Sequence, residues 1–338
     1  MKKIATCIIN HSFPHRECEW WVFLFLILFF CSCHKETGPS REELARRDSI
    51  ALHVGLMPVA DCLPFYLAER TGIYERLGLE VRLHTYQAQL DIDTALARGH
   101  VDVGYSDLAR AILLQQDSVD VRAIATFEGR LDLITPRRGR VRKLDQLKEK
   151  MVAVARHSIT DYWSDRLTDS AAIRRADIFR PQINDVRIRT DMLCNGTMDA
   201  AFLPEPYATE ALQRGHHKNF STNGLSPKLV VLLATGKALN NVDRQHQIEL
   251  LLKGYTQAIA RDAKHSAVRD SLPSILNDFC QTPDSLISRV IGSMPPFQPL
   301  SSPKGSDAET ALKWLQGRGK IKKGHTIDSL FSSKINID

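Results

Sequence analysis

Residues 50–56 read Ile50-Ala51-Leu52-His53-Val54-Gly55-Leu56, and the run breaks at Met57-Pro58 before Pro64-Phe65-Tyr66-Leu67-Ala68-Glu69-Arg70. The first stretch is apolar and extended. The second opens with a proline, which suits an early helix position because no acceptor waits there for its missing N–H. A strand followed at once by a helix is the unit that decides the fold, and the unit recurs. Gly78–His84 alternates and predicts a second strand, Asp91–Arg98 a helix stopped by Gly99, Val101–Tyr105 a third strand, and Asp107–Gln115 a helix. Val121–Phe127 and Leu131–Thr135 read as extended, Leu144–Glu149 as a short helix, Met151–Ala155 as a strand and Asp161–Arg175 as a helix. Val186–Arg189 alternates and predicts a strand, as do Asp199–Leu203 and Leu229–Ala234. From Asp243 the pattern is helical to the end, with turns at Pro283, Pro295-Pro296 and Gly305. Strands alternating with helices predict an α/β protein with largely parallel sheets.

Ahead of this lies a different kind of segment. Lys2, Lys3 and Arg16 precede the apolar run Trp20–Phe30, which ends in Cys31-Ser32-Cys33. A basic region, a short apolar core and a small residue before a cut site describe an export signal. The run falls short of the roughly 20 residues that span a bilayer. The cysteine at the cut resembles a bacterial lipobox and points to lipidation of Cys33; Phe30 is bulky for the position before Cys31. Residues 34–48 are polar and read as a tether. The expected product is exported and held by lipid on a bacterial membrane facing the periplasm.

Residues 34–338 exceed one typical core, so two lobes or two domains are expected. Hydrophobic residues make up 43% and charged residues 25%, as in ordinary soluble folds. The net charge of +6 is diffuse, and Arg137-Arg138-Gly139-Arg140 stands alone as a solvated loop, so nucleic acid is not an expected partner. Of seven cysteines only Cys62, Cys194 and Cys280 follow the signal, too few and too scattered for a disulfide framework. No zinc spacing occurs, and His216-His217 reads as surface, so neither a metal nor a cofactor is expected.

In open α/β sheets, ligands sit beyond the carboxyl ends of strands and at helix N-termini. The residues there are Met57, Pro58, Asp61 and Cys62; Tyr86, Gln87, Gln89 and Asp91; Tyr105, Ser106 and Asp107; Arg156, His157, Ser158, Thr160 and Tyr162; and Glu205 and Tyr207. The ligand-binding candidates are Asp61, Gln89, Tyr105, Ser106, Asp107, His157, Ser158, Thr160, Tyr162, Glu205 and Tyr207. Their mixture of polar and aromatic groups suits recognition more than catalysis. Asp107 also suits a helix cap, and Tyr105 and Tyr207 also suit packing.

Five stretches carry a family resemblance. They are Pro64–Tyr74 running to Gly78-Leu79-Glu80-Val81, Ala95–Gly104, Lys143–Lys148, Gly196–Phe202 leading into Pro204-Glu205-Pro206-Tyr207-Ala208, and Ala311–Leu315 with Gly319-Lys320-Ile321. In this order they resemble the periplasmic solute-binding proteins of ABC transporters of the thiamine-precursor, nitrate and taurine type. The resemblance implies a two-lobed periplasmic-binding-protein type II fold with a ligand cleft between the lobes. Lobe one would hold 49–127 and 228–331, and lobe two 128–227. It further implies a monomer that closes on a small-molecule ligand and is met by a membrane permease and its ATPase.

The ligand itself is less constrained. Asp61, Asp107 and Glu205 face a cleft whose one nearby basic residue is Arg156. A carboxylate matches the ring nitrogen and amine of an aminopyrimidine, on which Tyr86, Tyr105, Tyr162 and Tyr207 would stack. A thiamine-precursor pyrimidine is therefore the leading expectation. A sulfonate such as taurine, or nitrate, held by amides at Ser158–Tyr162, is the alternative. An enzyme on the same fold is disfavoured, because the cysteine-rich motif of the pyrimidine-making relatives is absent. A sensory receptor remains open.

Overall fold

The computed structural model describes residues 40–338 apart from 140, 263–265, 323, 336 and 338. The export signal, Cys33 and the first part of the tether lie outside the described residues. The chain divides into residues 1–49 and 50–338. The described end of the first unit enters a helix, Arg41–Ile50, where a tether was expected. Its start is capped by Ser40, whose hydroxyl accepts from the Glu43 N–H, and Glu43 reaches Arg46 and Arg47 one turn on. Spacings of three and four residues between opposite charges support a helix that buries nothing.

Within 50–338 there are two sheets. The first contains β1 (Leu52–Leu56), β2 (Val81–Thr85), β3 (Val103–Asp107), β4 (Val121–Thr126) and β9 (Val230–Thr235), in the order β2-β1-β3-β9-β4. The second contains β5 (Leu131–Thr135), β6 (Val152–Ala153), β7 (Ala200–Pro204) and β8 (His217–Ser221), in the order β6-β7-β5-β8. Only β2-β1-β3 and β6-β7 are parallel; β9 runs against both of its neighbours and β5 against both of its own. The sheets are thus mixed rather than largely parallel. The reason lies in the connections. The chain passes straight from β4 through residues 127–130 into β5, and returns from β8 through 222–229 into β9. Neither passage contains the helix that a parallel crossover needs.

One element was misjudged in kind. Val186–Cys194 is a helix, although Val186-Arg187-Ile188-Arg189 alternates. The residues that face inward are Val186, Arg189, Thr190 and Leu193, a helical spacing, while Ile188 is 52% exposed. Asp185 starts it by accepting from the Ile188 N–H at 2.8 Å. Smaller differences follow the same logic. His217 opens the polar edge strand β8. Ser158 caps a helix at Ile159–Ser170, earlier than expected. The last helix, Gly305–Gly317, gives way to a non-helical tail that pairs Phe331 beside Ala123 in β4.

The first lobe packs helices Leu63–Arg70 and Val242–Asp262 together, with Phe65 and Tyr255 rings 4.8 Å apart. The crossing segment is tightly set. Gly129 has φ +62°, and a Cβ there would lie 2.5 Å from a Val230 methyl carbon, so only glycine passes without strain.

Candidate functional site

Where the two sheets face each other, the chain leaves two small adjoining cavities. One, of about 40 Å³, is lined by Met57, Gln89, Tyr105, Ser106, Arg130, Ser158, Thr160, Asn184 and Arg189. The other, of about 60 Å³, is lined by Asp61, Glu128, Arg130, Glu205, Asn223, Tyr255 and Phe297. Val59, Arg130 and Pro204 line both. Each is room for a few waters at most.

Hydrogen bonds join the two sides of the cleft. The Ala60 N–H donates to the Glu205 carbonyl at 2.7 Å and the Val186 N–H to that of Gln87 at 3.1 Å. Ile159 N–H donates to Asp107 Oδ2 at 3.0 Å. Arg187 reaches the Cys280 carbonyl, and Trp314 Nε1 donates to Asp165 Oδ2 at 2.9 Å.

Asp107 is the most connected of these groups. It is fully buried at the end of β3, where Oδ1 accepts from the Arg110 N–H and caps the helix Leu108–Gln116. Oδ2 accepts from Gln89 Nε2 and from Ile159 of the other lobe. Gln89 also donates to Ser106, which donates to Asp93, itself paired with Arg110 at 2.6 Å. This chain of bonds orients Gln89 and Ser106 at the first cavity. It also means that the opening amides of the Ile159–Ser170 helix are taken: Ile159 N–H by Asp107 and Thr160 N–H by Ser158 Oγ.

The candidates thus separate. Gln89, Tyr105, Ser106, Ser158 and Thr160 line the first cavity and Asp61 and Glu205 the second, with Asp107 directly behind the first. Three lie elsewhere. Tyr207 is fully buried, with the Arg187 guanidinium 4.7 Å from its ring centre. Tyr162 lines a groove beside Trp314, and His157 lines another with Arg156. Arg156 is thus not the cleft's cation. That place belongs to Arg130 and Arg189. Arg130 pairs with Asp132 at 3.1 Å and stands 3.9 Å from Glu205. Arg189 is 4% exposed, donates from Nη1 to the Ile183 carbonyl at 2.8 Å, and has no partner at Nε. Among the described residues it makes no ion pair. Burial lowers its pKa to about 10, so it stays charged at neutral pH.

The carboxylates are perturbed the other way. Burial pushes Asp61 up to about 6, against the opposing pull of the Tyr105 hydroxyl, which donates to it at 3.1 Å. Asp107 is raised to about 6 and Glu205 is raised, both chiefly by burial. The Cys62 and Cys280 thiols are likewise raised by burial, and Cys62, Cys194 and Cys280 are all free. An acid whose pKa is raised by folding stabilises the fold fully below its unfolded value near 4. That contribution is lost as pH rises through about 6. His157 and His216 are held low by burial and act in the opposite sense, so a variant isolates Asp61 better than a single profile does. Asp61→Asn is expected to raise Tm at pH 7.5 by a few degrees, for about 1–2 kcal/mol, and to leave it unchanged at pH 4. Thermal unfolding at both values checks this; an equal shift at each contradicts it.

Residues 59–223 match the family model described as NMT1/THI5 like. The alkanesulfonate-binding protein SsuA from Xanthomonas axonopodis pv. citri, bound to MOPS, is similar in structure, with TM-score 0.67, 15% identity and coverage of 81% of this chain and 95% of that one. The periplasmic aliphatic sulphonate binding protein SsuA from Escherichia coli gives TM-score 0.68, 16% identity and coverage of 84% and 92%. The periplasmic nitrate-binding protein NrtA from Synechocystis PCC 6803 gives 0.64, 12%, 81% and 83%. These likenesses establish a two-lobed periplasmic-binding-protein fold. No curated protein sequence matches the chain.

Proposed function

From a chain whose residues 59–223 match the NMT1/THI5-like family model, we infer a solute-binding protein of an ABC importer that closes on a small solute bearing an anionic group. Lobe one, 49–127 and 228–331, and lobe two, 128–227, part by a hinge at the two crossing segments and meet again around the solute. Arg189 carries the reading. A guanidinium this buried, with one neutral carbonyl as partner and a free Nε beside a cavity, is a charge waiting for a counter-ion. A carboxylate or sulfonate docks on it, in the cavity that Gln89, Ser106, Ser158 and Thr160 also line. The cavity is too small for such a solute as it stands, so entry requires the lobes to part. Export and lipid attachment at Cys33 belong to the same proposal and keep the receptor beside its permease.

The second cavity favours a second reading. Asp61, Glu128 and Glu205 stand there with Tyr255 and Phe297, a set suited to the amine and ring of a thiamine-precursor aminopyrimidine. A thermal-shift screen over taurine, methanesulfonate, nitrate, small carboxylates and the aminopyrimidine separates the two. A ligand at a hundred times its Kd stabilises by about 2.7 kcal/mol. A shift with an organic anion is expected. A shift with the neutral pyrimidine alone moves the site to the second cavity, and silence from every compound overturns both readings.

A further inference from the structure

A groove of about 590 Å³ lies outside both cleft cavities and gathers Arg156, Arg175, Arg180, Arg318, Lys320 and His157. Two carboxylates answer these five permanent cations. Arg318 pairs with Asp161 at 2.6 Å; Arg175 and Arg180 share Asp165 at 2.7 and 3.4 Å. The head groups of Arg156 and Lys320 make no ion pair among the described residues. The excess is felt locally: after burial, Lys320 and Arg318 are what hold the neighbouring His157 imidazole low. Uncompensated like charges in a concave site repel one another and attract a counter-ion.

The groove is also split. Arg156, Arg175 and Arg180 come from the lobe of the second sheet. Arg318 and Lys320 follow the helix Gly305–Gly317, which packs on the helix Leu108–Gln116 of the first lobe. An occupant there touches both lobes.

We propose that this groove is a second anion site, taking a small phosphate-bearing anion of more than one charge that bridges Arg156 to Lys320 across the two lobes. Guanidinium forks and a free ammonium suit phosphoryl oxygens, and the three surplus cations favour a multivalent anion over a monovalent one. The site is distinct from the one in the cleft, since none of its residues lines either cavity.

Titration calorimetry of the full chain with inorganic pyrophosphate, at constant ionic strength, tests this, with glycerol phosphate as a second arm. Saturable binding of either is expected, and the preferred arm tells a free phosphate from a lipid headgroup. The double variant Arg156→Ala/Lys320→Ala removes exposed, unpaired groups and is expected to keep its Tm while binding about tenfold or more weakly. Arg189→Met is expected to leave this affinity unchanged. Absence of saturable binding in both arms, equal affinity in the double variant, or loss of binding in Arg189→Met overturns the proposal, the last by placing the anion in the cleft.

Discussion

Arg189→Met is expected to weaken capture of an anionic solute by about thirtyfold or more while making the ligand-free chain more stable. Both effects come from one observation. The guanidinium sits 4% exposed with no ion pair among the described residues, and burial has lowered its pKa to about 10 against the opposing pull of Asp185. A fall of that size corresponds to about 3 kcal/mol of preference against the charged form. Methionine has a comparable reach and no charge to desolvate, so the ligand-free fold gains about 1–3 kcal/mol, or several degrees in Tm. The ligand loses the partner of a buried charged contact, which costs 2–5 kcal/mol, or from about thirtyfold to several thousandfold in Kd. Arg189→Lys keeps the charge without the fork and is expected to fall between. Calorimetric titration and thermal unfolding of the three proteins give both quantities. Affinity within threefold of the parent removes Arg189 from the site. Loss of stability together with affinity makes it a structural residue instead.

That residue shows where reading a sequence stops. The strand-helix units of the first lobe were visible because each is local: an apolar run, a proline or a glycine, a helical period. Asp107 was visible too, since a side chain that caps a helix is recognisable from the residues next to it. Arg189 was hidden because Val186-Arg187-Ile188-Arg189 satisfies a period of two as well as a spacing of three. Only the burial of Val186, Arg189, Thr190 and Leu193 decides between them. Arg130 was hidden for a different reason. It lies just past a crossing strand, and nothing local says that the chain changes lobes there. Tyr207 illustrates the converse. It follows Pro204-Glu205-Pro206 at a strand end, yet its ring turns under Arg187, a contact between distant elements that spacing does not encode.

Asp107 offers a substitution in which stability and closure come apart. Its two oxygens do different work: Oδ1 caps the Leu108–Gln116 helix through the Arg110 N–H, and Oδ2 accepts from Gln89 and from Ile159 of the opposite lobe. Asp107→Ala strands three donors and is expected to cost about 2–4 kcal/mol, offset in part by removing a carboxyl that burial has already raised to about 6. Asp107→Asn differs. Its carbonyl oxygen keeps the cap, while its amide nitrogen faces two donors, Gln89 Nε2 and the Ile159 N–H; Gln89 can turn its own amide and accept, whereas the Ile159 N–H cannot. Turning the amide over rescues the Ile159 bond only by presenting N–H groups to Arg110. The cap-keeping form leaves the isolated lobe nearly as stable and breaks one bond that exists only when the lobes meet. Solute affinity is then expected to fall about tenfold through a smaller closed population, because the competent fraction scales the apparent constant. Unfolding midpoint and solute Kd, measured side by side, separate the cases. If Asp107→Asn binds as tightly as the parent, Asp107 is only a helix cap. If it unfolds as readily as Asp107→Ala, the carboxylate is needed for the fold and its bond to Ile159 cannot be the element that times closure.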